Sequence, residues 1–150
     1  MKALQGLLIC LLLVIRCAAQ GVSAEDWQRR ADLASGGNCV KSSMQAARLT
    51  LEDANHLFAT GDVKTAHSDV DVAVHYVQRS VDCSLHTRKA EKGAEIDLRK
   101  LIRRMKDVQQ TLDFEDRPHL AQSVLELEKQ RDRLLNAMFG AAGGGAEKTP

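Results

Sequence analysis

The chain has few aromatic residues, few prolines and little net charge. Phe, Trp and Tyr make up 3% of its 150 residues, there are two prolines, and the formal net charge is +1. Proteins that bind single-stranded nucleic acid use aromatic stacking platforms and a cationic surface. Since the chain is poor in both, we expect no nucleic-acid partner. The scarcity of proline leaves long segments free to form uninterrupted helices.

Catalytic motifs are also missing. Ser68 and Ser84 each have a histidine nearby in the sequence, but neither lies in the glycine-flanked turn that presents a nucleophilic serine. The glycines at 143–145 are not followed by a helix pattern, so they do not form a phosphate-binding loop. We therefore expect a protein that is not an enzyme and that uses no cofactor.

Residues 1–24 have the features of a secretory signal peptide. Lys2 provides the positive charge, and Leu7–Ile15 is an unbroken run of nine apolar residues. Small residues precede a cleavage position after Ala24, and a cut after Ala19 is the alternative. The run is shorter than the ~20 residues that span a bilayer. We expect export to the periplasm or the extracellular space, with no transmembrane span after cleavage.

Cleavage would remove two of the four cysteines, Cys10 and Cys17. Cys39 and Cys83 remain, and each is 22 residues from Gly61, where a helical turn is predicted. Two cysteines in an exported chain usually pair, so we predict a Cys39–Cys83 disulfide. Ideal helical geometry points Cys83 away from the apolar stripe of its helix, which means that the bridge requires a local adjustment.

Apolar spacing predicts a short first helix over residues 23–34 and a second from Cys39 to Thr60. The second carries an apolar stripe at alternating intervals of four and three residues, formed by Val40, Met44, Ala47, Leu51, Ala54 and Phe58. Gly61 is suited to end this helix and Asp62 to cap the next one. We therefore expect a tight turn between two antiparallel helices.

Residues 62–112 contain no proline and a single glycine, Gly93. As one helix this stretch would be about 75 Å long. One glycine costs roughly 1 kcal/mol in a helix, so we favour a continuous or gently kinked helix and an elongated molecule, with a break near Gly93 as the alternative. Val72 and Tyr76 lie opposite its apolar stripe, and we expect the first helix to cover them.

Pro118 suits the first turn of a last helix, which shows the heptad-like apolar set Leu120, Val124, Leu127, Leu134 and Met138. The small and polar residues 140–150 predict a disordered tail. The predicted fold is all-α, with two antiparallel helical hairpins sharing a long central helix, a short N-terminal helix, and one helical domain over residues 25–139.

Two surface patterns are candidate binding sites. His67, Asp71 and His75 follow at intervals of four, so a helix places them in one row where a divalent metal could bind. Such a row is more often plain surface, so no metal site is predicted and metal binding remains an alternative. The other pattern is a cationic stripe of Lys92, Arg99, Arg103 and Lys106.

The stripe suits an anionic partner, although such a row can also be a solvated surface with internal ion pairs such as Glu95 with Arg99. Because Arg99 and Arg103 lie away from the apolar stripe, we expect charge reversal at both to leave the fold intact. Taken together, these patterns predict an exported, non-enzymatic helical interaction or scaffold protein that binds a protein or an envelope component. The alternatives are a periplasmic holdase-type chaperone that exposes residues of the apolar stripes, and a metal-binding or metal-sensing protein.

Overall fold

The computed structural model describes residues 21–140, and this part of the chain is helical with no strand. Five helices follow in order: α1 Ala24–Leu33, α2 Gly36–Thr60, α3 Val63–Thr87, α4 Glu91–Thr111 and α5 Arg117–Phe139. The all-α prediction and the short N-terminal helix are confirmed. Most of the predicted signal peptide, and the predicted disordered tail beyond Gly140, lie outside the described residues.

The α2–α3 hairpin turns where the sequence predicts. Gly61 adopts the left-handed conformation with φ +84°, and the Asp62 carboxylate accepts a hydrogen bond from the backbone of Thr65 at 3.3 Å. Small buried residues let the two helices approach closely: Ser43, Ala46, Ala47, Ala54, Ala66, Ala73 and Ser80. The Ser80 hydroxyl donates across the interface to the carbonyl of Val40 at 2.9 Å.

The predicted central helix is present, but it is α3 alone, and the expected continuation past Thr87 is wrong. Arg88 and Ala90 both have positive φ, +54° and +61°, a conformation that costs a residue with a side chain roughly 1–2 kcal/mol. The Ser84 hydroxyl donates to the Lys89 carbonyl at 2.9 Å. These residues therefore form a turn, and it lies before Gly93, which is inside α4.

The turn folds the second hairpin, α4–α5, back against the first. Helix α3 packs on α2, α4 and α5, and α2 also packs on α4. Residues of α3 meet residues of α5 in ascending order, which shows that these two helices run in the same direction: Asp71 with His119, Gln78 with Glu126, and Asp82 with Arg133. The result is a four-helix bundle of two antiparallel hairpins, not the elongated molecule expected from the sequence.

One hydrophobic cluster runs through the bundle. Its largest fully buried side chains come from all four long helices and include Leu51, Val77, Leu98, Met105, Leu120, Leu127 and Leu134. Burial of each leucine stabilises the fold by roughly 1.5–3 kcal/mol. The apolar spacing in the sequence therefore identified the faces that the helices bury.

Helix α1 lies across α2 and reaches α3, as predicted. The Tyr76 hydroxyl donates to the Asp32 carboxylate at 3.2 Å, and the Arg79 guanidinium donates to the Ala31 carbonyl at 3.0 Å. The Ser23 side chain caps the start of α1. A signal cut after Ala24 would remove this cap, whereas the alternative cut after Ala19 would keep it.

Candidate docking groove

Cys39 and Cys83 lie together, with Cα atoms 6.1 Å apart and sulfur atoms at bonding distance. This confirms that the two cysteines are placed to form the predicted disulfide. Cys39 is fully buried in the first turn of α2, which begins at the left-handed Gly36. The pair fixes the start of α2 to the end of α3, next to the fold-back turn.

The histidine row of the sequence is divided in the structure. His67 stacks on His119 of α5 with ring centroids 4.2 Å apart, and the His119 Nε2 atom lies 3.0 Å from the Asp71 carboxylate. His75 instead meets the edge of the Tyr76 ring. Between residues 21 and 140, no three His, Cys, Asp or Glu side chains are grouped in a way that suits a metal ion.

The stripe residues Lys92, Arg99, Arg103 and Lys106 are all exposed on α4. Two of them are engaged by acids of the bundle. The Lys106 ammonium lies 2.7 Å from the Glu128 carboxylate, and the Arg99 guanidinium lies 3.6 Å from that of Glu95.

Glu95 is only 8% exposed and also accepts a hydrogen bond from Arg131 of α5 at 2.9 Å. Breaking a pair that holds a buried carboxylate destabilises a fold. Charge reversal at Arg99 would place a second carboxylate beside Glu95, which Arg131 still holds. That such a reversal leaves the fold intact stays a prediction. A groove of about 590 Å³ between α4 and α5, beside Lys92 and Arg99, lies next to this ion-pair cluster.

A larger groove opens on the other side of α4, between α4 and α2, with a volume of about 630 Å³. Apolar or small residues form its floor: Val40, Met44, Ala90, Gly93, Ala94 and Leu101. Polar residues line its rims: Lys41, Gln45 and Arg48 on α2, with Asp97, Lys100 and Arg104 on α4. We call this the α2–α4 groove.

Small side chains on α4 leave the space open. Gly93 and Ala94 lie in the first turn of α4, Ala90 precedes the helix in the fold-back turn, and all three line the groove. A Cβ atom added at Gly93 would meet no heavy atom within 4 Å. The groove therefore exists because the side chains at the start of α4 are too small to fill the space next to α2.

The charge of the groove is predominantly positive. Its lining holds four cations and one carboxylate, Asp97, which lies 3.3 Å from the Lys100 ammonium. At one end the Glu52 carboxylate bridges the two helices, because it pairs with Arg48 at 2.8 Å and with Arg104 at 2.7 Å. All four cations remain exposed, so an anion arriving from solvent can reach them.

The groups with clearly shifted pKa values lie outside the groove. Burial, followed by the charge of nearby Asp53, raises the pKa of Asp69. Burial and the Asp32 carboxylate raise the pKa of Tyr76. Hydrogen bonds from Gln130, Gln78 and Lys129 lower the pKa of Glu126. The pKa shifts of Asp69 and Tyr76 arise where helices pack together, whereas the largest cause of the Glu126 shift lies on its own helix. None of these groups lines the groove.

Sequence reasoning missed this groove. Lys100 and Arg104 belong to the same basic segment as the predicted stripe but lie on its other side, and Lys41 and Arg48 were not singled out. The interval of seven between Lys41 and Arg48 was the available signal, since it places both on one face of α2. Nothing in the sequence pointed to α4 as the neighbour of that face.

The side chains that a holdase would expose are mostly buried here. The apolar stripe of α2 from Val40 to Ala54 lies in the core. The large apolar residues that are exposed within the described range are spread over the N-terminal segment, α1, the α4–α5 loop and α5: Val22, Leu33, Phe114, Leu125 and Phe139. Within the same range, none of the helices has the length and apolar character needed to cross a membrane.

Comparison with known proteins found no relative of this chain: no family model, no curated protein and no solved structure matches it.

Proposed function

We propose that the protein is an exported, non-enzymatic interaction protein that binds an anionic partner at the α2–α4 groove. One observation carries the proposal: a groove of about 630 Å³ with an apolar floor has cations along both rims. Interaction sites combine an apolar centre with a polar rim, and charge complementarity selects the partner. The signal-peptide pattern and the cysteine pair at disulfide distance support export.

The chemistry of the groove favours binding over catalysis. Its lining contains no histidine, cysteine or serine, and Asp97 is paired with Lys100. A nucleophile and a base within hydrogen-bond reach are the minimum for most covalent mechanisms. The lining instead offers apolar contact and fixed positive charge, which are the elements of a docking site.

The cationic stripe keeps a secondary role in this proposal. Lys92 and Arg103 are exposed on the side of α4 that faces away from the groove, so α4 carries cations on both sides. Exposed charges act over about 8 Å at physiological ionic strength. Their expected effect is to speed the approach of an anion to α4, while the α2–α4 groove holds it.

The test is capture from the exported fraction of the native cell by the wild-type protein and two matched double variants. Lys100→Glu with Arg104→Glu reverses two groove cations, whereas Arg29→Glu with Lys64→Glu reverses two exposed cations on α1 and α3. Each reversal replaces an attraction between a groove cation and the anionic partner, worth up to about 1 kcal/mol, with a repulsion. The amount of partner that the groove variant captures should therefore fall at least about tenfold.

The control variant should capture the partner as the wild type does, and capture should weaken as salt rises. Equal capture by the two variants would refute the proposed function, because the groove cations would then contribute nothing. Circular dichroism of both variants checks that the helices are retained.

A further inference from the structure

We infer that the anionic partner presents an acidic amphipathic α-helix, which lies lengthwise in the α2–α4 groove. This inference rests on the proposed function and names the class of partner. It follows from three features of the groove: its length and open shape, the small residues of its floor, and the distribution of charge along its rims.

The length of the groove matches a short helix. The lining residues run from Val40 to Arg48 on α2 and from Gly93 to Arg104 on α4, which corresponds to about 12 Å and about 17 Å at 1.5 Å per residue. The two walls are parallel helices and the groove is open to solvent. Partner helices commonly bind in such a groove between helices, with their apolar face inward.

The floor allows close approach of a helix backbone. Small side chains at Ala90, Gly93 and Ala94 leave room for larger apolar residues of the partner, and helices pack with their axes 8–10 Å apart depending on the side chains between them. The aliphatic stems of Lys41 and Lys100 add apolar surface at the rims. Apolar anchors of the partner, spaced at i, i+3 or i+4, and i+7, would fill this space.

The charges distinguish a helix from a single-chain lipid. The cations lie on both rims, seven residues apart in the case of Lys41 and Arg48, and four apart in the case of Lys100 and Arg104. A fatty acid carries one charge at one end of its chain and would require cations grouped at one end of the groove. A helix with carboxylates flanking its apolar face meets cations along both rims.

Glu52 already contributes a carboxylate at one end of this arrangement. It engages both Arg48 and Arg104, from opposite walls of the groove. A partner carboxylate at that end must compete with it. Glu52→Gln should therefore strengthen binding of an acidic helix several-fold, whereas a merely structural role of Glu52 would leave binding unchanged or weaken it.

Gly93 provides a way to close the groove without disturbing the fold. A Cβ atom added at Gly93 meets no heavy atom within 4 Å, and alanine or leucine favours an α-helix by up to about 1 kcal/mol over glycine. Gly93→Leu fills the floor, whereas Gly93→Ala removes the glycine and leaves most of the space. This pair separates occupation of the groove from the effect of glycine on helix stability.

The experiment measures fluorescence anisotropy with three probes. The first is a labelled 14-residue peptide (~21 Å as a helix) with leucines at helical spacing and glutamates on both flanks, and the second is the same composition shuffled to remove the apolar face. The third is dodecanoate that carries the same fluorophore, titrated by itself. The proteins are the wild type, Gly93→Leu, Gly93→Ala and Glu52→Gln, each as the full chain.

The inference predicts that the amphipathic peptide binds at least tenfold more tightly than the shuffled one, that Gly93→Leu abolishes binding, and that Gly93→Ala retains it. Equal binding of the two peptides would overturn it. Binding of dodecanoate without the peptide would overturn it as well, in favour of a lipid-like ligand. If peptide binding fails while capture still depends on Lys100 and Arg104, the proposed function survives; if capture is also independent of them, both fail.

Discussion

Two interfaces of the bundle, α3–α5 and α2–α4, each join a pair of parallel helices, and they differ in the contacts that fill the space between the helices. Between α3 and α5, three polar contacts follow along the interface, from His119–Asp71 at 3.0 Å through Gln78–Glu126 at 3.1 Å to Arg133–Asp82 at 2.8 Å. Between α2 and α4 the structure has the Arg104–Glu52 pair and a groove of about 630 Å³. Space for a partner therefore lies on the α2–α4 side.

Side-chain volume explains the difference. Helix α5 brings three fully buried leucines, Leu120, Leu127 and Leu134, into the core. Helix α4 offers the small residues Gly93 and Ala94 to the groove, next to Ala90 of the turn before it. Protein interiors are normally packed to the density of organic crystals, so a side that is left unfilled marks a place where another molecule can supply the missing volume.

The largest expected effect concerns the covalent connection of the first hairpin. Replacing Cys39 and Cys83 with alanine should destabilise the protein by roughly 4 kcal/mol, because the disulfide closes a long loop in the unfolded chain. Urea denaturation measures the change. Two free thiols in the denatured, unreduced wild type would show that the pair is not bonded.

Matched leucine truncations compare the two sides directly. Leu127→Ala leaves a cavity in the closed core and should cost about 3–5 kcal/mol. Leu101 is 5% exposed and lines the groove, where water can enter the vacated space, so Leu101→Ala should cost about 2 kcal/mol. Unfolding midpoints measure both, and equal losses would mean that the groove is packed as tightly as the core.

The fold-back turn gives a prediction whose sign depends on the fold. Ala90 has φ +61°, so Ala90→Gly should raise stability by about 1 kcal/mol. In a continuous helix the same change would lower stability by a similar amount. Ala94→Gly, inside α4, is the matched control and should be destabilising. Thermal unfolding of the two variants is the measurement.

The smallest effect concerns acid pH on the closed side. The pKa of Glu126 is lowered by hydrogen bonds from Gln130, Gln78 and Lys129, so its contribution is present above the unfolded pKa and is lost as pH falls through the folded value. Glu126→Gln should remove this part of the acid-induced loss of stability. The measurement is the free energy of unfolding at a series of acid pH values. If it falls by the same amount in the variant and the wild type, the prediction is wrong.

Local sequence signals predicted most of the helices. Gly61 and Asp62 fixed the first turn because each performs a local backbone function, and the apolar spacing identified the buried faces. The turn at Arg88–Ala90 was missed because neither glycine nor proline occurs there. Its left-handed residues are held by contacts that only the folded chain provides, such as the hydrogen bond from Arg88 to the Ala137 carbonyl at 3.2 Å.

The candidate groove depended on that turn, which is why sequence reasoning pointed to the stripe side of α4 and did not identify the groove side. The helix seen alone shows cations on several faces, and the stripe containing Arg99 has the more regular spacing. Packing then places Arg99 beside the buried Glu95 and opens Lys100 and Arg104 to the groove. Which basic residues are available to a partner is thus a property of the tertiary arrangement.

The most direct test of the fold-back and its groove is the distance between spin labels at Gln45 on α2 and Asp97 on α4, measured by pulsed electron paramagnetic resonance. Both residues line the groove, one on each of two neighbouring helices. The expected separation of the two labels is therefore under about 20 Å, comparable with the length of the groove itself. In the extended arrangement, α4 would continue beyond the first hairpin, roughly 20 residues further along the helix axis. A separation above about 30 Å would match that arrangement and contradict the bundle and the docking site built on it.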